Sequence, residues 1–77
     1  MSEKVTEHQL TEATKALGGI ALKFVSPGMS GVPDRLILLP GKRLAFVEVK
    51  APGEIMRPLQ VKRKRQLEAL NFRVYVI

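Results

Sequence analysis

Apolar residues recur along this chain with two periods, and each change of period marks the start of a new element. Within the first seventeen residues Leu10, Ala13 and Leu17 follow helical spacing, and Val5 and Ala16 widen the stripe, so Ser2 to Leu17 is expected to be a helix. Ser2 offers an N-cap hydroxyl, and Thr6 with Gln9 is an alternative capping box one turn later. Gly18-Gly19 ends the helix, because glycine adopts the left-handed conformation at least cost. Ile20 to Val25 (IALKFV) reads as a short strand and Ser26 to Gly31 as a polar, glycine-bearing loop that is flexible spacing, a substrate contact or a hinge. Asp34 to Leu39 (DRLILL) is apolar enough for a central strand. The Pro40-Gly41 turn should fold the next strand, Arg43 to Lys50 (RLAFVEVK), back against it as an antiparallel hairpin. Ala51 to Arg57 forms a loop, and Pro58 stands where a helix favours its first residue. That second helix runs to about Leu70 with Leu59, Leu67 and Leu70 inward, Asn71 stops it, and Arg73 to Ile77 (RVYVI) is a last strand.

The order is therefore α-β-β-β-α-β, an α+β fold class, without repeats or low-complexity stretches. Seventy-seven residues allow one domain, 1–77, with a small core. The sequence stops within its last strand, which leaves an apolar edge or face on a small sheet uncovered, and a homodimer is the simplest remedy.

Strand geometry makes the third strand informative. Leu44, Phe46, Glu48 and Lys50 point to one face and Ala45, Val47 and Val49 to the other. Glu48 and Lys50 thus continue a core-facing row, about 6.6 Å apart along the strand. A carboxylate leaving an apolar face needs a partner, since an unpaired buried charge is costly. Asp34 begins the neighbouring strand directly after Pro33, and a tight hairpin brings it beside the end that carries Glu48 and Lys50. Two carboxylates from adjacent strands with a lysine alongside make an oxygen-ligand site suited to Mg²⁺. Such a site can hold a scissile phosphate and activate a water, with Lys50 orienting that water or stabilising developing charge.

Charge agrees with a polyanionic substrate. Thirteen Lys and Arg against seven Asp and Glu give a net charge of +6 and an isoelectric point near 10.2. A hydrophobic content of 45% argues against a disordered basic tail. The sequence has no cysteine and a single His8, so a disulfide framework or a thiolate zinc site is excluded. The amino terminus is charged, with no signal-peptide apolar segment, and no apolar run approaches the roughly 20 residues of a membrane span. No membrane partner is expected, and no G-K-S/T follows a glycine-rich loop, so no nucleotide cofactor is expected either.

Asp34 followed fourteen positions later by Glu48-Val49-Lys50, with Pro33 before the aspartate, resembles the PD-(D/E)XK nuclease signature. The blocks Gly18-Gly19-Ile-Ala-Leu-Lys23-Phe, Ser-Pro-Gly…Gly31-Val-Pro33-Asp34-Arg35, Glu48-Val-Lys50-Ala-Pro-Gly53, Pro58-Leu-Gln60 and Phe72-Arg-Val-Tyr-Val-Ile77 resemble the VRR-NUC (virus-type replication-repair nuclease) branch in a stand-alone minimal form. The resemblance implies a restriction-endonuclease-like α-β-β-β-α-β core with a small mixed sheet flanked by two helices. It implies Asp34, Glu48 and the Val49 backbone carbonyl as Mg²⁺ or Mn²⁺ ligands and Lys50 as the catalytic lysine. It also implies a first-helix glutamate near the metal, reached directly or through water, for which Glu7 is the better match and Glu3 the competitor. Gln60 corresponds to a glutamine at the start of the second helix beside the site. Stand-alone members are associated with homodimers acting on branched DNA as Holliday-junction resolvases do, in the cytoplasm of a bacterial or phage-infected cell.

The resulting expectation is a Mg²⁺- or Mn²⁺-dependent endonuclease acting on DNA, with Lys62, Arg63, Lys64, Arg65, Lys23 and Arg35 as candidate phosphate contacts and Lys42, Arg43 and Arg57 as weaker ones. The alternatives are a nuclease of flaps or other repair intermediates, and a non-catalytic basic nucleic-acid-binding module. His8 is expected on the helix surface. Phe72 and Tyr75 are expected to fill the core, four aromatics being too few for a base-stacking platform.

Overall fold

Two antiparallel strand pairs and one parallel crossover build the sheet. The computed structural model describes residues 2–77. Helix α1 (Glu3–Ala16) leads into strands β1 (Ile20–Lys23), β2 (Arg35–Leu39) and β3 (Arg43–Glu48), then helix α2 (Pro58–Ala69) and strand β4 (Arg73–Val76). Spatial order follows chain order, β1-β2-β3-β4. The first two pairings are antiparallel and β3–β4 is parallel. A parallel pair needs a long connection across one face of the sheet, and α2 supplies it. The expected elements are thus present in the expected order, with β1 ending two residues early at Lys23.

Ser2 caps α1: its Oγ accepts from the Val5 backbone N–H at 3.2 Å, so the capping box at Thr6 is not the start. Register sorts the strand residues by face. Ala21, Ile37 and Ala45 lie in one row, as do Arg35 and Val47, and this face packs against Leu10 of α1. The opposite face carries Leu36, Phe46 and Val74 in one row and meets α2. Phe46 anchors that side, with Phe24 5.7 Å away and Phe72 edge-on at 6.0 Å between ring centroids. The buried apolar residues among those described are few: Ile37, Phe46, Val47, Val49 and Val74.

Both helices present different faces from those expected. In α1 the most buried residue is Thr14, whose hydroxyl donates to the Leu10 carbonyl at 2.7 Å, while Val5 and Leu17 are exposed. The helix packs mainly on the β1 side of the sheet. Ala13 and Leu17 therefore look over an open apolar hollow of about 260 Å³ floored by Ala45, Val47, Tyr75 and Ile77. In α2, Leu59 and Leu70 are exposed, Leu67 is half-buried, and the buried position is Gln60. Phe72 and Tyr75 are likewise partly exposed rather than core residues: Phe72 precedes β4, and Tyr75 lies on β4, an edge strand with only one neighbour.

Two glycines set how closely the loops approach the elements. A side chain at Gly19 would run into the Leu38 carbonyl, so the α1–β1 connection lies directly on β2. Gly31 has φ +86°, and a Cβ there would sit 2.7 Å from Leu59 Cγ. The Ser26–Gly31 segment is thereby pressed onto the first turn of α2. Arg63 ties it there by donating from Nε to the Ser30 carbonyl at 2.8 Å.

Candidate functional site

The β2–β3 ladder ends at the pair Arg35–Val47, and one further rung sets Asp34 opposite Glu48. Both side chains then fall on the α2 face, at the end of the sheet where α2 begins. Asp34 is fixed by the backbone: its Oδ2 accepts from the Val49 N–H at 2.9 Å. Glu48 is 2% exposed, and its Oε2 is buried without a hydrogen-bond partner among the described residues. Burial, and then the adjoining Asp34 carboxylate, push the Glu48 carboxyl up to about 7, against the opposing pull of Lys50 and Arg57.

Lys50 follows the end of β3, where its N–H donates to the Ile77 carbonyl at 2.8 Å and prolongs the parallel pairing with the last strand. Its Nζ donates to Gln60 Oε1 at 2.8 Å. The same oxygen accepts from the Arg57 N–H at 2.9 Å, so Gln60 caps the start of α2 and holds the lysine with one atom. Two donors on one amide oxygen explain why a glutamine is buried there.

A cleft of about 380 Å³ gathers Glu3, Asp34, Glu48, Val49, Lys50, Glu54, Ile55, Arg57 and Gln60. Of the two first-helix glutamates, Glu3 lines it. Its Oε1 accepts from the Ala51 N–H at 3.2 Å, and Glu54 Oε1 accepts from the same N–H at 3.1 Å. The close Glu54 carboxylate holds Glu3 above the usual carboxylate range. Glu7, one turn along, is instead paired with Arg35, Nε to Oε1 at 3.4 Å, and does not line the cleft. Glu54, Ile55 and Arg57 were not among the leading candidates. The sequence signal of Glu54 and Ile55 is position alone, in the short loop between the E-x-K strand and the glutamine that opens α2, and Arg57 adds its positive charge to the same position.

The candidate phosphate contacts divide. Arg35 is half-buried against Glu7, Arg63 bonds the Ser30 carbonyl and Gln66, and Lys64 pairs with Glu68 at 3.0 Å. Lys62, Arg65 and Lys23 are exposed, and no ion pair holds them among the described residues.

Among the described residues no three His, Cys, Asp or Glu side chains converge as a metal cluster. The donor set nevertheless fits a hard divalent cation that keeps most of its waters, because such ions are held by one or two carboxylates. The orphaned Glu48 Oε2 beside Asp34 is the feature such an ion would satisfy.

An α-β-β-β-α-β core with Asp34 and Glu48-Val-Lys50 at neighbouring strand ends is the arrangement expected of a PD-(D/E)XK nuclease fold. No protein-family model matches the chain. It is 48% identical over 75 residues to a protein named "Putative nuclease p44" from Acyrthosiphon pisum secondary endosymbiont phage 1, which spans 97% of this chain and 80% of that one. A solved VRR_NUC domain superposes with a TM-score of 0.90 and 32% identity, covering 96% of this chain and 81% of the other. The chain belongs to the VRR-NUC family.

The buried carboxyl makes the metal-free protein sensitive to pH. A carboxyl raised from 4.5 to about 7 on folding binds its proton more tightly in the native state. Its contribution is intact below pH 4.5 and is lost as pH rises through 7. Glu48→Gln removes that loss. In EDTA the variant is expected to gain stability relative to wild type as pH rises from 4.5 through 7, by about 3 kcal/mol at most. Denaturant unfolding across that range checks it; an advantage that does not change with pH contradicts it.

Proposed function

We propose that this chain is a Mg²⁺- or Mn²⁺-dependent endonuclease that hydrolyses DNA phosphodiester bonds. The observation that carries this reading is the buried Glu48 carboxyl, its Oε2 unpartnered among the described residues, opposite Asp34 and with Lys50 beside it on the same face. Asp34, Glu48 and the Val49 carbonyl would hold the cation, and Glu3 lies nearer to them than Glu7 for a contact through water. When bound, the cation supplies charge neutralisation at the phosphate and a more acidic water.

The chain's own residues do the rest. The Val49 N–H keeps the Asp34 carboxylate in a single orientation. Gln60 holds the Lys50 ammonium at the cleft, where it can orient a water or meet the charge that develops on the phosphoryl oxygens. Exposed Lys62, Arg65 and Lys23 supply positive charge for the nucleic-acid backbone without reading bases. No described helix is long and apolar enough to cross a membrane.

The finer reading is a homodimer acting on branched DNA in the cytoplasm of an infected cell. Its support is the family resemblance, the phage source of the relative, and the uncovered apolar hollow beside α1, rimmed by exposed Leu17, Tyr75 and Ile77. A second copy of the chain covering that hollow would bury Leu17, Tyr75 and Ile77.

Lys50→Ala and Asp34→Asn are expected to lower cleavage of labelled branched DNA in Mg²⁺ or Mn²⁺ by at least about 10²-fold, while DNA binding persists. Binding without metal-dependent cleavage by the wild type would replace the enzyme with a binding module. Light scattering at micromolar concentration is expected to give twice 8.6 kDa; the monomer mass contradicts the dimer.

A further inference from the structure

Ile55 is the most exposed large hydrophobic side chain among the described residues, at 85%, and it stands at the mouth of the catalytic cleft. Exposure of this kind usually belongs to a loose loop, but this segment is pinned on both sides. Before it, the Glu54 N–H donates to the Ala51 carbonyl at 3.0 Å, and the Ala51 N–H is held by both Glu3 and Glu54. Gly53, at φ +84°, permits that turn. After it, the Arg57 N–H is bonded to Gln60 and Pro58 starts α2. Between these pins Met56 is half-buried and Ile55 projects outward. A β-branched side chain is also stiff about χ1, so what projects is a rigid apolar knob.

Apart from Val49, which is buried, the rest of the lining is charged or amide: Glu3, Asp34, Glu48, Lys50, Glu54, Arg57 and Gln60. A phosphodiester gains nothing from an apolar knob in such a wall. Within a nucleic acid, the apolar surface is the face of a base. Continuous duplex hides those faces by stacking, whereas an unpaired or partly opened step exposes one. Isoleucine is among the residues that wedge into such steps.

We propose that Ile55 packs against an unstacked DNA base next to the phosphate held at Asp34 and Glu48, and thereby favours cutting where pairing is interrupted over cutting in continuous duplex. This rests on the nuclease reading above. It assigns the preference for interrupted pairing to one side chain, separate from the charge that binds the backbone.

The test compares wild type, Ile55→Ser and Ile55→Leu on a flap and on continuous duplex, each with 2-aminopurine at the branch point or at the matching duplex position. Ile55→Ser is expected to lower flap cleavage about tenfold more than duplex cleavage, an effect of the size of one lost base contact. Ile55→Leu should restore most of it. The 2-aminopurine emission should rise when wild type or Ile55→Leu binds and stay low with Ile55→Ser. Equal flap-to-duplex ratios and equal emission for wild type and Ile55→Ser overturn the proposal. So does a fall in mass for Ile55→Ser by light scattering, which would show that the residue is covered by a second copy. If wild type cuts neither DNA, the nuclease reading fails. The emission change on binding then decides the wedge by itself, its presence supporting Ile55 and its absence overturning it.

Discussion

A glutamate with one carboxylate oxygen buried and unpartnered among the described residues, in a domain with very little core to offset it, is the constraint around which this structure is arranged. Glu48 takes the place on β3 that an apolar residue would fill more stably, next in its row after Phe46. Asp34 opposite it adds repulsion, and no basic side chain forms an ion pair with either acid among the described residues. The neighbouring lysine is engaged by Gln60 instead. Such an arrangement is costly unless a cation completes it, and it places two acids where a cation can reach both.

The surrounding structure can be understood as support for that pair. The β2–β3 register aligns the two acids, and the Val49 N–H orients one of them. Gly31 lets the segment leading to Pro33 and Asp34 lie against α2, and Arg63 fastens it. Arg63, in the middle of a basic run, thus serves the loop rather than the solvent. The cleft opens on the α2 side of the sheet, whereas the apolar hollow lies on the α1 side. Substrate binding and self-association would therefore use different surfaces.

Period-two alternation in RLAFVEVK was enough to place Glu48 and Lys50 on one face, and the Pro-Gly turn enough to bring Asp34 beside them. Local chemistry carried the helix starts at Ser2 and Pro58. What a single sequence does not contain is where a helix sits on its sheet. Glu3 and Glu7 lie on nearly the same side of α1, since four residues turn only about 40° beyond a full circle, and they differ by about 6 Å along the axis. Axial position, which periodicity cannot supply, decides that Glu3 meets the cleft and Glu7 meets Arg35. The same holds for Leu17, Leu59 and Leu70, apolar residues at helical spacing that are nevertheless exposed. Thr14 and Gln60 carry no apolar signal at all, yet both are buried because their polar atoms find local partners.

The central claim is that Asp34 and Glu48 together form a cation site. Calorimetric titration of Mn²⁺ into the protein near pH 6, in two buffers of different ionisation enthalpy, tests it most directly. Binding should release close to one proton, because the raised Glu48 carboxyl must ionise to take part, and both the binding and the release should vanish in Glu48→Gln. Unchanged Mn²⁺ affinity in Glu48→Gln would contradict the assignment.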